Sequence, residues 1–214
     1  MKKLYCICFI LVIIEGCATS NISLSQKEFD KLYSMKLVRY KTAELQIHTG
    51  STILAGGLVF GGFGMESFAK VKGNEWTQKC SLPDFSKLTI EIFIDKVSKE
   101  IKDWPSMTVE ENPAGDDYAS QTDNLIIFKA TALRLYSFGA LKGLSTLVTA
   151  NITAPGRGQV WSNTYAYQQK KFGEVPDLEV FEAENCKVLK EQMNFAANKT
   201  ASEFIMDLKK GLTH

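Results

Sequence analysis

Two segments with helical spacing flank a run of strand-like segments, and this order constrains the fold more than any other feature of the chain. Ser81-Leu-Pro-Asp84 reads as a helix start. Ser81 can cap, Asp84 lies three residues on, and proline is tolerated in a first turn. From there Ile90, Ile94, Val97, Ile101 and Trp104 fall on one helical stripe that runs to about Lys102, broadened by Phe85, Leu88 and Ile92. Pro105 prevents continuation. Short extended segments follow: Ser106 to Glu111, Asn124 to Tyr136, Leu144 to Ile152 and Gln159 to Tyr167. Asn124 to Tyr136 is apolar on both faces early on, which predicts a central strand. Ala154-Pro-Gly-Arg-Gly158 predicts the turn of a hairpin. After Pro176-Asp177 a long helix extends to about Lys210, with Leu189, Met193, Ala196 or Ala197, Thr200, Phe204 and Leu208 as its buried stripe and Gly211 as a stop. The expected fold class is α+β: an antiparallel sheet of three to four strands with two helices on one face.

The N-terminus carries different information. Lys2 and Lys3 precede an uncharged apolar run from Leu4 to Ile14, the layout of an export signal. A helix over that run is too short for a bilayer core of about 30 Å. Ile14-Glu15-Gly16-Cys17 resembles the lipobox of bacterial lipoproteins, although Glu15 stands where a small or apolar residue is usual. The resemblance implies cleavage before Cys17 and acyl chains on its sulfur. Ala18, with no Asp at that position, implies sorting to the outer membrane, facing the periplasm. Two or three acyl chains anchor far more firmly than one.

Removing residues 1–16 takes away Lys2, Lys3 and Glu15, so the formal net charge of +1 falls to zero. That balance gives no case for nucleic acid as a partner. With 45% hydrophobic residues the chain has a globular composition. Of five cysteines, Cys6, Cys8 and Cys17 belong to the signal and anchor. Cys80 and Cys186 remain, either as a disulfide in an oxidising compartment or as two separate buried thiols.

Residues 18–47 read as a polar lead-in. It holds a short helix from Ser25 to Tyr33, with Phe29, Leu32 and Tyr33 on one side, and an extended stretch from Leu37 to Ile47. Then His48 to Met65 carries no Asp, Glu, Lys or Arg and six glycines. Two readings compete. One is a glycine-rich helix or loop buried against the domain. The other is a segment touching the membrane or a partner through Gly57, Phe60, Gly61 and Phe63, where Gly57 and Gly61 make a small-xxx-small step. No third glycine stands at Ser67 and no Lys-Ser or Lys-Thr closes a phosphate loop.

The chain is poor in catalytic material. Only His48 and His214 are available for a nucleophile–base pair. No CxxC, HxxH or HExxH spacing supplies metal ligands. Asp116 and Asp117, with Glu110 and Glu111, form the one acidic cluster, and neighbouring acids in a Pro/Gly segment read as solvated. Trp161, Tyr165 and Tyr167 share one strand face. They could stack on a ligand or pack under a helix. No catalytic residue, metal ligand or cofactor is assigned.

From Leu37 onward the chain resembles uncharacterised small lipoproteins of Gram-negative bacteria. The likeness rests on the extended Val-Arg-Tyr segment, the small-residue apolar run, the turn before tryptophan in Gly158-Gln-Val-Trp161, and a C-terminal helix with Asn185, Leu189-Lys190, Ala196-Ala197 and Glu203-Phe204. Its order of elements is also similar to lipoproteins that assist envelope assembly and secretion. The resemblance implies no activity. The expectation is a non-catalytic envelope adaptor or assembly factor, held by acyl chains on Cys17 and bound to other envelope proteins. The alternatives are a binder of a small ligand, lipid or glycan, and an enzyme on envelope polymers. Expected segments are a signal peptide (1–16), a lipidated arm (17–47), a glycine-rich apolar segment (48–73) and an α+β domain (74–214).

Overall fold

The computed structural model describes residues 22–112, 122–138, 141–169 and 177–212, with the side chains at 55–63 and 141 outside the description. The signal-like segment, Cys17, Asp116 and Asp117 therefore lie outside the described residues, as do the side chains of Phe60 and Phe63.

The α+β class holds, but the sheet is larger than expected and mixed. Among the described residues there are six strands: β1 (Ser34–Tyr40), β2 (Leu45–Thr49), β3 (Ser106–Asn112), β4 (Leu125–Phe138), β5 (Leu141–Ala154) and β6 (Gly158–Gln168). The order is β3-β1-β4-β5-β6, with β2 also on β4. β4, β5 and β6 form the expected antiparallel meander. β1 instead lies parallel to both β3 and β4, and β2 is parallel to β4. The physical reason is the long connection: two helices separate β1 and β2 from β3 and β4, and parallel neighbours need such a crossover. Residues 34–40 and 45–49, expected in the arm (17–47) and at the start of the glycine-rich segment (48–73), are thus sheet strands.

β1 and β2 run end to end along one edge of β4. Arg39 pairs with Phe128 and Leu45 with Leu133, so the β1–β2 side carries one residue more than β4 over this span. The strand breaks at 41–44, where only Ala43 keeps a bond to β4, its N–H donating to the Ala130 carbonyl at 3.1 Å.

Helix α1 (Gln26–Phe29) is capped by Ser25. It buries Phe29, with Leu32 just beyond, but Tyr33 points outward at 85% exposure, contrary to expectation. Helix α2 (Gly50–Cys80) begins with a reciprocal capping box between Thr49 and Thr52. It contains the glycine-rich run and continues well past it, so the expected boundary at residue 73 falls inside a helix. Gly73 lies so close to β2 that an added Cβ would sit 1.7 Å from the Leu45 carbonyl oxygen.

Ser81 is not the cap of the next helix. It ends α2 in a left-handed conformation, φ 49°. Asp84 caps α3 (Phe85–Glu100), accepting from the Lys87 N–H at 2.8 Å. The buried face of α3 is Phe85, Ser86, Thr89, Ile90, Phe93 and Val97, rotated by about one position from the expected stripe. Ile94 sits at its margin, and Phe93 stacks on Phe204 with centroids 4.5 Å apart.

Helix α4 (Leu178–Leu212) is interrupted at Ala183–Cys186, where Glu184, Asn185 and Cys186 are left-handed. Beyond the interruption the expected stripe, Leu189 to Leu208, is buried. α4 is described to Leu212, one residue past Gly211. Gly211 lets α4 lie on the Leu24 backbone, where a Cβ would approach the carbonyl oxygen to 2.3 Å. α3 and α4 cover one face of the sheet: Lys96 of α3 reaches Asn198 and Ser202 of α4, and Asp207 of α4 accepts from Asn163 of β6. The core lies between these layers, and no helix among the described residues is long and apolar enough to cross a membrane.

Candidate functional site

The break between β1 and β2 opens a cleft of about 260 Å³. Its floor is apolar: Leu45 of β2, Phe85 of α3, Leu133 of β4 and Met193 of α4. Asn74 and Thr77 of α2 form one wall, and Leu82, Pro83 and Asp84 form the opposite wall. One network holds the break open. Thr42 Oγ1 donates to Asp84 Oδ1 at 2.8 Å and accepts from the Ser86 N–H at 2.8 Å. The Arg39 guanidinium lies 3.2 Å from Asp84 Oδ2 and also pairs with Glu111. Asp84 is thereby committed to the helix cap, a hydroxyl and a guanidinium, which makes it a structural clamp. No histidine, serine or cysteine lines the cleft. Its chemistry is that of a shallow apolar receptor with a polar rim.

The residues singled out from sequence fall elsewhere. Trp161, Tyr165 and Tyr167 do share a face, but it is the covered one. Trp161 is 2% exposed and stacks on Phe204 of α4 at 4.7 Å. Tyr165 donates to Asp207 Oδ2 at 3.3 Å, and burial first, then the Asp207 charge, pushes its phenol far up. Tyr167 meets the edge of Phe195 at 5.9 Å. These rings leave no open platform for a ligand, because α4 occupies it.

His48 lies on the other sheet face. It stacks on Tyr136 at 5.1 Å and pairs with the Gln46 amide oxygen at 3.2 Å, an oxygen that also accepts from Arg134. Burial is the main cause that lowers its pKa, the Arg134 charge adds to this, and Glu66 opposes it. Of the acidic cluster, Glu110 pairs with Lys36 and Glu111 with Arg39. Among the described residues no three His, Cys, Asp or Glu side chains converge as a metal site.

Cys80 and Cys186 are joined in a disulfide, with Cα atoms 5.6 Å apart. It ties the last residue of α2 to the interruption in α4. Sequence reasoning missed the cleft. Asp84 carried a signal as a helix-start residue, but nothing local marked Thr42 or Arg39 as its partners.

No family model matches the chain, and no curated protein matches it. Among solved structures it is similar to the PelC dodecamer from Paraburkholderia phytofirmans in space group P6. The alignment has 11% identity and covers 84% of this chain and 91% of that chain, with a TM-score of 0.32. A PelC point-variant dodecamer in space group C2 aligns over the same shares at 8% identity and the same TM-score. A likeness at this level carries no argument about fold or function.

Proposed function

We propose that this chain is a lipid-anchored, non-catalytic protein of the bacterial envelope that faces the periplasm from the outer membrane and binds other envelope proteins. The observation that supports this most is the Cys80–Cys186 disulfide. Such bonds persist in oxidising compartments outside the cytoplasm, which agrees with an export signal ending at Cys17. Cys17→Ser tests the anchor: the variant moves from the membrane fraction to the soluble periplasmic fraction, and an unchanged membrane fraction would sink this reading.

A second reading, binding of a small apolar ligand, draws on the cleft at the β1–β2 break. Thr77→Trp, which fills the cleft from the α2 wall, abolishes binding of an apolar fluorescent probe on this reading. Equal binding by both proteins rules it out.

A further inference from the structure

The point where the chain joins the fold fixes which surface lies nearest its anchor. Ile22 bridges antiparallel to β6, its carbonyl accepting from the Ser162 N–H at 3.3 Å. Leu24, two residues on, is fully buried beneath the end of α4. β6 is an edge strand of the sheet. Cys17 precedes Ile22 by five residues, and a chain spans at most about 3.6 Å per residue. The Cys17 Cα therefore stays within about 18 Å of Ile22 whatever its path.

The C-terminal end of α4 lies against this entry point, since Gly211 packs on the Leu24 backbone. Asp207 is bonded to Asn163, the neighbour of Ser162. Phe195 meets Tyr167, and the Lys199 ammonium lies over the same ring at 5.6 Å. Tyr167 is five strand residues from Ser162, about 17 Å. The outward side of α4, away from its buried stripe, carries two large exposed apolar side chains, Phe195 at 59% and Met206 at 49%. Eleven residues apart, they lie about three turns from each other along one side of the helix. The exposed Phe68 belongs to α2, which packs on β2 through Gly73, and β2 is separated from β6 by β4 and β5.

We propose that the outward side of α4, through Phe195 and Met206, rests on the phospholipid bilayer that holds the Cys17 acyl chains. The proposal depends on the lipoprotein reading above. Phenylalanine is among the side chains that helices lying in the interface bury at the headgroup–acyl boundary, and a thioether adapts to irregular apolar surroundings. The domain would then stand with α4 toward the bilayer and the sheet behind it.

The test uses the acylated full chain in phospholipid vesicles with brominated acyl chains, which quench nearby tryptophan. Phe195→Trp, Met206→Trp and Phe68→Trp are each compared with the unsubstituted protein, whose Trp76, Trp104 and Trp161 set the background. Tryptophan at 195 and at 206 loses emission in brominated vesicles, and tryptophan at 68 does not. Anchored protein that is dark at 68, or bright at both 195 and 206, overturns the orientation alone. Quenching that tracks protein concentration without bromine assigns the outward side of α4 to a second copy and also overturns it. A chain with no acyl mass on Cys17 that stays off the vesicles sinks the lipoprotein reading together with the proposal.

Discussion

At the scale of single residues, two glycines show how close approach substitutes for side-chain packing. Gly73 brings α2 onto the Leu45 carbonyl, and Gly211 brings α4 onto Leu24. Neither has a positive φ, so their role is steric. Gly73→Ala forces backbone apart from backbone. It should lower the unfolding free energy by about 1–3 kcal/mol or more, read as a reduced urea midpoint. His48 gives a second prediction. Its folded pKa lies below the ordinary value of 6.5. As pH falls through that value, the unfolded chain takes up a proton that the folded state resists, so stability falls on the acid side and is unaffected above it. His48→Gln should flatten this part of the urea-midpoint profile. None of this was legible locally. Gly211 read as a stop because a glycine after a helical stripe usually ends it; its packing on a carbonyl 187 positions earlier in the chain was out of view.

At the scale of elements, local pattern carried most of the information. β4, β5 and β6 were legible because their alternation is strong and their partners are neighbours in sequence. The buried stripe of α4 was legible for the same reason. The face of α3 was not, since Phe93 and Ile94 are equivalent in composition and only the stack on Phe204 chooses between them. The break in α4 was also hidden, because left-handed Glu184, Asn185 and Cys186 contain no glycine to announce it. Their conformation is held by context, including the bond from Cys186 to Cys80. That bond closes a separation of 106 residues. Replacing both cysteines by serine should cost about 2–5 kcal/mol, with the wild type in reductant approaching the double variant. Equal stability of the two oxidised proteins would show that packing alone fixes the junction.

At the scale of the whole molecule, the expected division into arm, apolar segment and domain dissolves. Residues 34–49 supply strands at the centre and edge of the sheet, and α2 crosses the boundary drawn at residue 73. An extended stretch ahead of a glycine-rich run looks like a linker when its parallel partner is out of view. The cleft exists only because β1 and β2 are one interrupted strand, so it could not be seen before the sheet was assembled.

The parallel pairing of β1 and β2 also governs how the chain must assemble in time. Their partners on β4 lie roughly 90 residues downstream, and contacts of such long range pay a large loop-closure entropy before any stabilisation returns. The β4–β5–β6 meander can close by local steps, but the β4 edge then stays bare until the first strands return past two helices. Refolding should therefore show early protection of amide hydrogens in β4, β5 and β6 and late protection in β1 and β2, resolved by pulsed hydrogen exchange. A chain delivered N-terminus first meets the same order: its earliest strands are among the last to find their place.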